Sequence, residues 1–236
     1  MGIILAYIQF GARNYLRQHR YIREIIVVGL FTIFFWAYLS DDKPDESIWL
    51  VFCVFAILLN LITAPSIFYM EKGNTLYFLI GKPYGRRNFF ISRIILIVLI
   101  DLFWILFFSF LYALRFLSLE FIIHLPLRIT LVAAILSLTT VLISLSYTYK
   151  PQWSWLIFLL IILGSIVNKG AILPIKSLSE FYKLFIFLLP PVLEINLFTV
   201  SLSFVEIKQV FLVVAAIQTV VLFLISYRGM MRKDLL

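Results

Sequence analysis

Two histidines, one cysteine and a few carboxylates are the residues through which this chain could carry chemistry, and their positions exclude most of it. His19 lies among arginines and His124 in a short polar stretch, neither with a second ligand at useful spacing, so no metal centre is expected. Cys53 lies in an apolar run, has no disulfide partner in the chain, and reads as a small packing residue. Neither His-Glu-x-x-His nor Gly-x-Ser-x-Gly occurs, and no nucleophile stands with a base, so the chain is not expected to be an enzyme. Gly81-Lys82 has the ending of a phosphate loop, but Leu76 stands where its first glycine belongs and Pro83 where Ser or Thr belongs. The chain is therefore not expected to hold ATP or any other cofactor itself. Asp101 is left, the one ionisable residue read as lying well inside an apolar span. A carboxylate at that depth is costly and marks a substrate pathway by default. With no matching carboxylate or histidine to relay a proton, a buried hydrogen-bonded structural role is the favoured reading and a substrate-pathway or coupling role the alternative.

The elements that would position these residues are membrane helices. Hydrophobic residues make up 63% of the chain and charged ones 14%, far from the roughly 45–50% apolar share of soluble domains. No linker or charge block divides the 236 residues, so one domain is expected. The apolar runs Ile25 to Leu39, Ile48 to Tyr69, Ile94 to Leu117, Leu127 to Tyr147, Trp153 to Val167 and Val210 to Tyr227 predict six spans, the fifth of them short. Residues 1–24 carry Arg13, Arg17, Arg20 and Arg23 among apolar residues, a pattern suited to an amphipathic helix in the membrane interface. No cleavage site follows the short apolar start. Residues 41–46 read as an acidic turn, and Glu120, His124, Pro126 and Arg128 as a second short turn on the same outer side. In the fourth span Thr130, Ala133, Ala134, Ser137, Thr140 and Ser144 form a stripe of small residues that suits close helix packing.

Residues 168–209 are harder to read. Pro190-Pro191 and Glu194 interrupt the apolar run Leu184 to Val205, which predicts an outer re-entrant segment and not a crossing. A seventh span is the alternative, and it would place Arg228, Arg232 and Lys233 outside, against the positive-inside rule. Most of the 20 Lys and Arg fall on one side in the six-span arrangement, which puts both termini and the 71–93 loop in the cytoplasm.

That loop, EKGNTLYFLIGKPYGRRNFFISR, is the most informative stretch. Asn74 can cap a short helix bearing Leu76, Tyr77, Leu79 and Ile80, and Gly81 and Pro83 can close it. The order Glu71, Thr75-Leu76, Leu79, Pro83, Arg86 and Arg93 resembles the loop between the second and third spans of ABC-2 type ABC-transporter permeases. Asn74 stands where that family has Gly, and Gly85 where it often has Ser. The resemblance covers about 23 residues, and the order of the other elements agrees with it. It implies a compact permease similar to the haem-exporter B-type or to lipid and polysaccharide exporters. It further implies a bacterial cytoplasmic membrane, a second permease subunit, and a separate ATPase subunit that binds ATP and Mg. On this reading Glu71, Asn74, Thr75, Leu76, Tyr77, Leu79, Pro83, Arg86 and Arg87 couple to the ATPase. Leu76, Tyr77 and Leu79 would be the apolar anchors, and Glu71, Arg86 and Arg87 the polar positioning groups. Asp101, from its depth alone, is the candidate substrate-pathway residue. Lipid is the other partner and nucleic acid is not one. An amphiphilic or lipid-linked substrate suits the aromatic, nearly uncharged interior. The alternative function is a membrane scaffold or assembly subunit that transports nothing.

Overall fold

The structure is a computed structural model that describes residues 2–40, 45–71, 73–169, 183, 186, 188–202 and 206–232, with side chains set aside at 74 and 206–209. Among the described residues all regular structure is helical: α1 (Gly2–Arg17), α2 (Ile22–Ser40), α3 (Ile48–Phe68), α4 (Gly73–Ile80), α5 (Gly85–Phe116), α6 (Leu119–Thr148), α7 (Ser154–Ile166), α8 (Val192–Ser201) and α9 (Glu206–Arg232). Five of these, α2, α3, α5, α6 and α9, are long and apolar enough to cross a bilayer. The chain is a membrane protein built of transmembrane helices. α7 has 13 residues, about 20 Å at helical rise, and falls short of a hydrocarbon core of about 30 Å.

α3 and α6 form the centre. Their apolar windows are 61% and 67% buried, against 17% for α2 and α9, so the latter two lie at the periphery. α2 is attached by aromatic packing: Phe31 stacks on Phe55 of α3 with centroids 3.8 Å apart, and Phe35 meets Phe108 of α5 edge to face at 5.0 Å. Its other face exposes Ile26, Ile33, Phe34 and Trp36, a surface that water does not tolerate and lipid does. Within the bundle polar groups pair across helices. Ser144 Oγ of α6 lies 2.7 Å from Ser226 Oγ of α9, and Thr148 Oγ1 lies 3.1 Å from the same atom.

Several boundaries differ from the sequence reading. α3 agrees closely, and Pro65 sits in its last turn, where the Tyr69 amide donates to its carbonyl. α5 begins at Gly85 and not at Ile94, so Arg86, Arg87 and Arg93 are helical and not loop residues. α6 begins at Leu119 and not at Leu127, its N-cap Ser118 accepting from the Phe121 amide at 3.1 Å. The expected outer turn of Glu120, His124, Pro126 and Arg128 is thus the first part of α6. Arg128 stays helical and buried because its Nη2 reaches Glu46 Oε1 at 3.1 Å. The small-residue stripe packs only in its later half: Thr140 and Ser144 are buried, while Thr130 and Ala134 are exposed. α2 begins at Ile22, so Glu24, read as the end of the interfacial segment, belongs to the first span.

Residues 41–44 of the acidic turn, and most of 170–187 in the region read as re-entrant, lie outside the described residues. The described part of that region is short: α8 starts directly after Pro190-Pro191 and has 10 residues. Glu194 is buried at its start, accepting from the Lys169 amide at 2.6 Å and from Lys169 Nζ at 3.2 Å. Burial pulls the Lys169 ammonium below its ordinary value, and Glu194 pulls it back up.

Candidate functional site

The stretch from residue 71 to residue 93 is held by three contacts that the sequence does not display. At its start Glu71 is buried and forms an ion pair with Arg93 Nη2, while Asn14 Nδ2 of α1 donates to Glu71 Oε1 at 3.1 Å. Arg93 also lies over the Phe89 ring, 4.9 Å from its centroid. Gly11 of α1 makes this possible, since a Cβ there would stand 2.8 Å from Arg93 Nη1. Glu71 and Arg93 thus bracket the stretch and join it to α1.

The second contact fixes α4. Tyr7 Oη of α1 donates to the Leu79 carbonyl at 2.8 Å, satisfying one of the carbonyls that a helix end leaves free. The Gly81 amide donates to the Tyr77 carbonyl at 2.8 Å, and the Gly85 amide to the Lys82 carbonyl at 2.7 Å. Tyr84 adopts φ 57° in this tight connection, and a Cβ on Gly85 would overlap the Leu79 and Ile80 carbonyl oxygens. The turn therefore requires glycine. In the third contact Arg86 Nη1 donates to the Met231 carbonyl at 2.8 Å, tying the start of α5 to the end of α9. One end of the bundle thereby gathers α1, α4, the start of α5 and the end of α9.

Not all expected anchors face outward. Leu79 is buried, 5% exposed, and Leu76 is half-buried against the core. Tyr77 is 47% exposed and Phe78, which the sequence reading did not single out, is 66% exposed. Thr75, Pro83 and Arg87 are exposed, Arg86 is half-buried, and the side chain of Asn74 lies outside the described residues. α4 starts at Gly73, with φ 57°, one residue before the expected cap. Lys82 sits over the Phe78 ring at 4.4 Å and Arg87 over the Tyr84 ring at 4.9 Å, so the outer face of α4 and its turn is aromatic and cationic. A groove of about 410 Å³ on one side is lined by Asn14, Arg17, Glu71 and Thr75. Another of about 370 Å³ on the other side is lined by Lys82, Arg86, Arg87 and Met231.

Asp101 lies at the centre of the bundle, fully buried. Asn60 Nδ2 of α3 donates to Asp101 Oδ2 at 2.8 Å and to Thr140 Oγ1 of α6 at 2.7 Å. Asp101 is not the lone carboxylate of the interior. Glu24, 1% exposed, interacts with it electrostatically, and Thr63 of α3 lies beside both. The sequence reading missed Glu24 because its neighbour Arg23 and the arginines before it suggested an interfacial stretch. Asn60 and Thr63, polar residues in the apolar run of α3, were the available signal. No family model, no curated protein and no solved structure matches the chain.

Proposed function

We propose that the chain is the transmembrane permease subunit of an ABC transporter, working in the bacterial cytoplasmic membrane with a second permease subunit and a separate ATPase that binds ATP and Mg. The observation that carries this reading is α4. It is a two-turn helix that follows one transmembrane helix and precedes the next, is tethered to α1 by the Tyr7 hydroxyl, and turns Tyr77 and Phe78 away from the bundle. A short helix with exposed aromatic side chains and flanking cations is a ready insert for a groove on a partner. Its links to α1 and α5, and the tie of α5 to α9, would pass its displacement into the bundle. Of the expected anchors Leu76, Tyr77 and Leu79, Tyr77 keeps that role and Phe78 joins it, while Leu76 and Leu79 hold the helix to its own chain. Arg87 and Lys82 steer and orient.

In this reading α4, both termini and the end of α9 face the cytoplasm. α7 makes the sixth, short crossing, and α8 belongs to an outer re-entrant segment. Asp101, Asn60 and Glu24 lie along the route of an exported amphiphile. The tagged chain, purified from host membranes in mild detergent, should bring with it one ATPase carrying Walker A and signature motifs. Phe78→Asp should reduce its recovery at least about tenfold, since burying such a side chain contributes about 1.5–3 kcal/mol. Recovery at the wild-type ratio, or recovery of partners without any ATPase, would favour a scaffold instead.

A further inference from the structure

Glu24 is the residue of the interior that the permease reading uses least, and its surroundings are specific. It lines, almost wholly buried, a groove of about 380 Å³ between α1, α2 and α5, together with Tyr15, Leu99, Ile100, Phe103 and Trp104. Leu99 and Phe103 are 52% and 61% exposed on the outer surface of α5, so the mouth lies at the level of the lipid-facing side chains. Glu24 Oε1 and the Tyr15 hydroxyl are both buried and face each other, without a hydrogen bond of good geometry between them. The groups that reach Glu24 are Tyr15, Thr63 and Trp104, none of them a cation. Of the arginines at this end, Arg93 pairs with Glu71, Arg20 with the Ser66 carbonyl and Arg86 with the Met231 carbonyl, while Arg13, Arg17 and Arg23 are exposed side chains and none of them lines the groove. Behind Glu24 stands a second acid, Asp101.

We infer that this groove binds a hydrophobic cation, an apolar body bearing an ammonium- or phosphonium-type charge, with Glu24 as its counter-ion. A buried carboxyl in an apolar site is satisfied either by holding a proton or by facing a cation, and the open groove gives a cation a route to it. Tyr15, Phe103 and Trp104 present aromatic surface, Phe103 and Trp104 packing edge to face at 5.6 Å, and aromatic faces attract a desolvated organic cation. The volume lies at the low end of small-molecule sites, about 300–1,000 Å³. The residues lining the groove include no Lys or Arg to neutralise a phosphate. Both features favour a compact cation over a two-chain phospholipid. The inference gives the permease reading its substrate class. Its test needs no ATPase, so either can fail without the other.

The test is equilibrium dialysis of radiolabelled tetraphenylphosphonium against the purified full chain in a neutral maltoside detergent. Saturable binding is expected, weakened at least about tenfold in Glu24→Gln, since the bound cation then lacks its counter-ion. Tetraphenylborate, the same shape with the opposite charge, should compete poorly. Should Glu24→Gln aggregate on gel filtration, Leu99→Trp decides, because it fills the groove from an exposed lipid-facing position and should abolish binding. Absence of saturable binding, equal binding by Glu24→Gln, equal competition by the anion, or unchanged binding in Leu99→Trp would each overturn the inference.

Discussion

Arg93 and Glu71 show how a charge can sit inside this chain. Each is nearly inaccessible, and each has the other as its counter-ion. Removing one partner of such a pair leaves an uncompensated buried charge and costs about 3–5 kcal/mol, whereas replacing both by apolar residues is often nearly neutral. Arg93→Met alone should therefore lower the thermal midpoint in detergent sharply, and Glu71→Met/Arg93→Met should recover most of the loss. A double variant no better than Arg93→Met would mean that the pair contributes through Asn14 and Phe89 more than through charge. Sequence alone exposes the arginine and hides the pairing, because the partners are separated by α4. The same holds for Glu24, whose burial comes from packing against α1, α3 and α5 and not from its neighbours in the chain. Asp101 was legible because apolar residues surround it along the chain as well as in space.

At the scale of elements the apolar runs were legible wherever lipid and core make the same demand. α3 was read almost to the residue. The starts of α5 and α6 were not, since charged residues were taken as loop. Helices tolerate them where a partner lies across the bundle, as Glu46 does for Arg128. The short helix α4 was visible from its Gly and Pro punctuation, but which of its faces is free depends on Tyr7, far away in sequence. Its connection to α5 is the element most sensitive to a single methyl group. Gly85→Ala should displace the Leu79 and Ile80 carbonyls and loosen α4. Trypsin should then cut at exposed Arg87 on the order of tenfold faster, with the rest of the chain intact, as a local opening made easier by about 1–3 kcal/mol requires. Tyr7→Phe, which removes one hydrogen bond of about 0.5–1.5 kcal/mol, should show a smaller change in the same direction. Unchanged cleavage in both would mean that α4 is held by its apolar side chains alone.

For the whole molecule, α4 is tied to α1 and to the start of α5, which is tied in turn to the end of α9, so a push on one short helix would reach three others. A permease would work through these ties, and exposed Phe78 is where it would meet its partner. The most direct measurement is site-specific cross-linking from that position. Cys53 is fully buried, so Cys53→Ala leaves a background in which Phe78→Cys carries the one thiol. A short bifunctional reagent applied to inverted host-membrane vesicles should yield a single adduct, with a subunit bearing Walker A and signature motifs, and ATP turnover should change the adduct's yield. A thiol that reacts with impermeant reagent only from the outer side of the membrane, or that forms no adduct with an ATPase, would contradict the account.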